Sequence, residues 1–522
     1  MDWRALRDQL YPRRRLVVYL VGAVVVAIWT WLRFFTQRTV FDLVSQQVIV
    51  QQWLHGAVSP AHMGQTAYVP KMLLLYTPLD VLPGSPRLKL LVLTVLVNIA
   101  TFVLLGLVLE KLLHEFRVHA GSAFYDVLLW LSVIAGSVFW IQFANSRNLE
   151  VVGGLFWAYL GLRLLRAPSW RLRVGLVALG GLLFFDDPLQ VFMSAFPVFL
   201  YALVLVFARK QRERPVLELF GTLAAGYAVA LVLFAAAGHW LHISFTDTGG
   251  VHTPSVTLTW VRDSFAGAGR AAPSLFVGGS DAGRLREVAN VAVVVLGAAA
   301  LAYTWLRRLV PKRFMAFLAC WIAVDTVVYI TSGQAVQGAA TARYLIMLAP
   351  MLVLALGTVR IPRQLAYYAA AFMITVVGVN VITLSGALVS NWDTSFPKDA
   401  GAESAYRYIG HRAGLHAYGS IDTAMAMQYF HRLPAEAFLP VGCLDGKLVR
   451  THFSMDTSFQ KVQADSRATA AIILDGNSIQ NTPNVCTAVT IAQQFGQPLG
   501  TDRTAAGDMV MIYPQAQLQL PD

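Results

Sequence analysis

Apolar windows long enough to cross ~30 Å of hydrocarbon at ~1.5 Å per residue recur from about Leu16 to about Val389. Nothing comparable follows between Asn391 and Asp522. Composition agrees with the recurrence: of 522 residues, 56% are hydrophobic and 13% charged, with a mean hydropathy of +0.56. A soluble fold cannot hide that much apolar surface. The sequence therefore predicts an α-helical polytopic membrane protein with spans near 16–34, 89–109, 124–143, 151–165, 174–185, 190–208, 216–238, 288–306, 314–331, 344–359 and 364–389, about eleven in all. Residues 1–390 form the membrane domain, with external loops at 39–88 and 239–287, and 391–522 a polar tail. Strand-like runs at Ala470–Leu474 and Met509–Tyr513 make that tail a small α/β domain.

The formal charge of +12 does not point to nucleic acid, because the basic residues fall in short clusters between apolar windows rather than along one face with interleaved aromatics. They read as topology signals. Arg13-Arg14-Arg15, Lys111, Arg117, Arg163, Arg166, Arg209, Lys210 and Arg307-Arg308 sit in short segments on one side, whereas the loops opposite are longer and hold fewer. The N-terminus is expected in the cytoplasm, and an odd span count puts the tail outside. No small-residue cleavage pattern follows the first apolar run, so it reads as a signal anchor. Cys320 falls within a span; Cys443 and Cys486 lie in the tail, where an oxidising compartment permits a disulfide and two free thiols are the alternative.

Ionisable groups at membrane depth are costly and mark sites or water-filled cavities. Four polar places stand out, all on the outer side of this topology. Residues 39–56 form an amphipathic interfacial helix with Asp42 at its N-terminal end, and the same loop carries His55, Lys71 and a Pro-broken stretch, Tyr68–Leu79, too short to span. A short turn carries Asn145, Arg147, Asn148 and Glu150; an Arg147–Glu150 surface pair is its plain reading. Asp186-Asp187 tip a hairpin of apolar spans, where one Asp caps the next helix and the second is unexplained. Arg343-Tyr344 open a late span; snorkelling explains them in isolation.

Together these features resemble the GT-C superfamily of integral membrane glycosyltransferases, and the resemblance covers nearly the whole chain. Phe41-Asp42 through Gly56, Tyr68-Val-Pro, Tyr76-Thr-Pro-Leu79 and Leu82-Pro83 look like the opening of polyprenyl-phosphate-mannose-dependent mannosyltransferases. Ala342-Arg343-Tyr344 through Pro350 looks like a segment common in bacterial members. Two departures stand beside this: Asp42 is followed by Leu43 rather than by the second acid of aminoarabinose- and protein-mannosyl-transferase relatives, and Asp186-Asp187 occupies a place where some relatives carry a base.

The resemblance implies a hexosyl or pentosyl transferase of the bacterial inner membrane. It would move a sugar from a polyprenyl-phosphate donor to a glycan, lipid or protein acceptor of the cell envelope. Asp42 is then the catalytic base that takes the acceptor proton. Arg343, Arg147, Lys71 and Tyr344 hold the donor phosphate, where charge develops on the leaving group. Glu150, Asp186, Asp187, Asn148 and His55 bind sugar or acceptor. No cofactor is required, though Asp186-Asp187 would accept a divalent cation. His239, His242 and His252, in the same loop as Trp260 and Arg262, fit no zinc-ligand spacing and read as solvated. The rivals are a secondary transporter or flippase-like protein, which predicts mid-membrane polar groups and an internal repeat, and a non-catalytic envelope-assembly scaffold, which predicts no dependence on Asp42.

Overall fold

The computed structural model describes residues 3–36, 48, 61–63, 70, 72–118, 120, 122–134, 148–208, 213–240, 243–245, 257–277, 284–331, 345, 347–359, 363–392, 400–410, 412, 414–431, 433–434, 437–450, 462, 468–481 and 484–521. The chain is mostly helical. It divides into two compact units, one of residues 1–33, 92–234 and 251–390, the other of 34–91, 235–250 and 391–522.

The first unit is built from α1 (Trp3–Thr36), α2 (Pro86–Glu115), α3 (Ser122–Ile134), α4 (Asn148–Arg166), α5 (Trp170–Asp186), α6 (Phe196–Phe207), α7 (Glu213–Trp240), α8 (Leu258–Val277), α9 (Arg284–Leu306), α10 (Lys312–Thr331), α11 (Leu348–Gly357) and α12 (Arg363–Trp392). Every predicted span overlaps a helix, yet among the described residues only α2, α7, α9 and α10 are long and apolar enough to cross a membrane on length and composition alone. The helices α4, α5 and α6 fall short for local reasons. Arginines occupy the last turn of α4 and the first turn of α5, and α6 is preceded by a π-helical turn, Val191–Ala195, that shortens its regular part. The helix α8 lies inside what the sequence suggested was an open loop. Thr257 starts it, its hydroxyl accepting from the Trp260 N–H at 3.1 Å.

At the end of this unit bearing the basic clusters, Glu110 of α2 gathers Arg15, Tyr19 and Tyr125. Arg15 Nη2 meets Glu110 Oε2 at 2.7 Å, and both tyrosine hydroxyls donate to Oε1 at 3.0 Å. One of the arginines read as a topology signal thus also ties α1 to α2. Further along, Phe116, Tyr201, Phe314 and Phe317 stack edge-on and tilted at 5.1–6.0 Å, fastening α2 to α6 and α10.

The second unit contains β1 (Ala61–Met63) paired in parallel with β2 (Ile243–Phe245), a helical stretch over Met72–Val81, and a six-stranded sheet. The sheet comprises β3 (Leu415–Ser420), β4 (Phe438–Leu444), β5 (Lys447–Arg450), β6 (Thr469–Leu474), β9 (Gly500–Arg503) and β10 (Met509–Pro514), with β7 (Ser478–Asn481) and β8 (Asn484–Thr487) forming a separate hairpin. The order is β5-β4-β3-β6-β10-β9, with β3 parallel to both neighbours and the other pairs antiparallel. The two tail segments read as strands from sequence are β6 and β10, adjacent and paired Met509↔Leu474 through Pro514↔Thr469. Residues Ala470, Ile472 and Leu474 enter one core, and Ala471 and Ile473 the other. Helices α13 (Ala400–Gly410) and α14 (Ile421–His431) cover the second face, and α15 (Ala488–Phe495) the first. That double burial explains why the strand reads as a continuous apolar run. Asp445 and Gly446, at φ 49° and 75°, turn β4 into β5 as a tight hairpin requires. Cys443 and Cys486 are bonded, joining β4 to β8.

Candidate active site

The α4–α5 hairpin places the first group of carboxylates. Pro168 ends the connection and Ser169 caps α5, its hydroxyl accepting from Leu172 N–H at 3.3 Å. The two helices then run antiparallel at close range because glycines line the seam. A Cβ on Gly153 would lie 2.6 Å from Leu183 Cδ2, and one on Gly180 would lie 3.0 Å from Trp157 Nε1. The Trp157 N–H donates to Leu176 O at 3.1 Å. One turn beyond the Gly153–Leu183 contact, this register brings Glu150 and Asp186 to the same level, at the end of the hairpin away from the basic clusters. Both are buried.

Asp187 has a different role. It ends α5, donating its N–H to Leu183 O at 2.8 Å, and its Oδ1 accepts from Leu189 N–H at 3.0 Å. This is the capping role expected of one member of the pair, and it leaves Asp186 as the acid without a turn to stabilise. The turn delivers Gln190 and Ser194, both buried, with the Ser194 hydroxyl donating to Gln190 Oε1 at 2.6 Å. They face Gly154, where a Cβ would sit 2.0 Å from Ser194 Oγ and 2.9 Å from Gln190 Oε1. Only glycine allows this approach, one turn from Glu150.

Asp325 of α10 is a further buried acid. Tyr201 meets Phe317 at 5.6 Å, and the Val191–Ala195 turn also packs on α10. Asp325 is 3% exposed on that helix. Sequence reading passed over it because it sits inside an apolar window; a lone acid at that depth was itself the signal. Two asparagines escaped notice for the same reason. Asn290 of α9 and Asn380 of α12 exchange amide hydrogen bonds at 3.0 and 3.1 Å, while Trp130 Nε1 donates to Asn290 Oδ1 at 3.1 Å and Arg286 Nε to Asn380 Oδ1 at 3.0 Å. Arg286, assigned to a loop from sequence, is buried in the first turn of α9.

Of the other predicted site residues, Asn148 opens α4. Asp42, His55, Lys71, Arg147, Arg343 and Tyr344 lie outside the described residues. Trp260 and Arg262 fall on α8, with Arg262 paired to Asp263 at 3.3 Å. Among the described residues, no three His, Cys, Asp or Glu side chains converge to hold a metal.

No protein-family profile and no curated protein matches the chain. Two solved structures of ArnT from Cupriavidus metallidurans are similar to it. The one bound to undecaprenyl phosphate is 14% identical at a TM-score of 0.43, covering 95% of this chain and 97% of that one. The one in the apo state is 13% identical at a TM-score of 0.43, covering 97% and 99%. At this identity and TM-score the likeness transfers no residue role to this chain.

Proposed function

We propose that this chain is a GT-C-type glycosyltransferase that moves a sugar from a polyprenyl-phosphate donor to a cell-envelope glycan, lipid or protein acceptor at the extracytoplasmic face. The observation carrying this reading is the pair of buried acids Glu150 and Asp186, with buried Gln190 and Ser194 beside them, at one end of the α4–α5 hairpin. Buried carboxylates are expensive in a membrane bundle and are retained where they bind or move something. Carboxylates and amides are the groups that orient sugar hydroxyls. A transporter would place such groups near mid-membrane on both halves of an internal repeat; the one-sided grouping favours transfer chemistry.

The topology proposed with it has about eleven spans, a cytoplasmic N-terminus and an extracytoplasmic tail. The distribution of arginines and the Cys443–Cys486 bond, which belongs to an oxidising compartment, support it. In this reading Asp42 removes the acceptor proton, Arg343, Arg147, Lys71 and Tyr344 stabilise the departing phosphate, and Glu150, Asp186, Asn148 and His55 hold the sugar or acceptor. A divalent cation at Asp186-Asp187 is the cofactor to test, by activity in EDTA with and without added magnesium or manganese.

The test is transfer of radiolabelled sugar from polyprenyl-phosphate donors, undecaprenyl phosphate carriers first, in membranes matched for expression. Asp42→Asn is expected to lose about 10²- to 10⁴-fold in rate. Glu150→Gln should chiefly raise the apparent KM for the sugar-bearing donor or the acceptor. Full activity of Asp42→Asn removes it from the mechanism, and no transfer from any donor by the wild type overturns the function.

A further inference from the structure

At the opposite end of the bundle, the ends of α2, α4 and α6 and the starts of α5, α7 and α10 enclose a cavity of about 1100 Å³. Five arginines line it: Arg117, Arg166, Arg173, Arg214 and Arg313. Two carboxylates answer them. Arg166 pairs with Glu115 at 3.2 Å, and Arg173 and Arg214 share Glu218 at 3.1 and 3.3 Å. Arg117 and Arg313 have no ion-pair partner among the described residues, so the lining carries an excess of positive charge.

Arg117 closes the end of α2, as Arg308 closes the end of α9 away from the cavity. The Arg117 N–H donates to His114 O, and Val118 N–H to Leu113 O, both at 2.9 Å. That is the cap with which helices end on a left-handed residue, usually glycine. Arginine occupies the position at φ 57°. The rest of the wall is apolar, including Leu162, Leu165 and Leu205.

We infer that this cavity binds the phosphate of an amphipathic anion, supplied by the headgroup of an anionic phospholipid. Guanidinium forks match phosphate oxygens two at a time. Basic pockets at the cytoplasmic ends of membrane helices take such headgroups, and the leucines would receive the first methylenes of the tail. The inference rests on the proposed topology and not on the transfer reaction.

Thermal melting of the purified full-length chain in neutral detergent tests it, with titrations of phosphatidylglycerol, phosphatidylcholine and inorganic pyrophosphate. The variant is Arg117→Gly/Arg313→Gln, chosen because glycine suits the left-handed cap and loss of a cation from the first turn of α10 relieves the helix dipole. Its unliganded melting temperature should match that of the wild type or exceed it, and Arg262→Gln serves as the charge control. Phosphatidylglycerol should stabilise the wild type, phosphatidylcholine should not, and the variant should bind about tenfold more weakly. Protection by pyrophosphate equal to that by phosphatidylglycerol, and lost in the variant, confirms the phosphate site but makes its ligand soluble. Equal lipid protection of wild type and variant, or none of either, overturns the proposal.

Discussion

Gly154 shapes the end of the bundle that bears Glu150 and Asp186 by what it lacks. Alanine there would force its Cβ into the Ser194 hydroxyl at 2.0 Å, and overpacking of this kind costs about 1–3 kcal/mol. Gly154→Ala should therefore lower unfolding stability by that amount, and Ser194→Gly in the same chain should restore most of it; an unaltered Gly154→Ala would show that the turn moves freely. Asp502 responds to pH instead. The Arg503 N–H at 2.8 Å, then the Tyr408 hydroxyl at 3.1 Å and Arg412 Nη2 at 3.0 Å, hold its carboxyl below the usual carboxylate range. A carboxyl depressed on folding adds stability that is present above its unfolded pKa and lost as pH falls through the lower folded value. Amide protection in β9, corrected for intrinsic exchange, should weaken as pH falls below about 5, and Asp502→Asn should flatten that dependence.

At the scale of elements, most helices were legible because a run of apolar residues leaves hydrocarbon-length segments little alternative. β6 and β10 were legible for a related reason, since a strand buried on both faces is a short unbroken apolar run. What escaped was polar and inside helices: Asp325, Asn290 and Asn380 are each one residue in an apolar window, and the partners of Asn290 and Asn380 come from distant helices that no local pattern reveals. The helix α8 escaped because Gly267 and Gly269 interrupt it and its polar residues look loop-like. The α9–α12 seam gives a direct test. Asn290→Leu deprives Asn380 of its reciprocal amide and Trp130 of its acceptor, and should cost about 0.6–1.7 kcal/mol in a bilayer-like medium. Asn290→Leu/Asn380→Leu should cost less than the sum of the single variants, because removing both halves leaves neither amide stranded. Additive losses in steric-trapping measurements would dismiss the pair as a unit.

For the molecule as a whole, the candidate site was only partly legible. Glu150, Asp186 and Asp187, singled out from the sequence, lie on the α4–α5 hairpin, where Asp187 also braces the turn, and the proposed base and phosphate cations lie outside the described residues. Topology is testable without them. Protease added to cells stripped of their outer barrier, with the inner membrane sealed, should cleave within 391–522 and spare the Arg13-Arg14-Arg15 segment; the reverse pattern would invert the protein. The core of the second unit has a further consequence. Val48 and Leu90 are buried in the same cluster as Tyr418, Ile472 and Met511, so the tail's interior is completed by residues made hundreds of positions earlier. A gene fragment beginning at Asn391 would encode a sheet with part of one face missing. For the same reason, a tail borrowed from a relative by recombination would have to bring its own first loop with it.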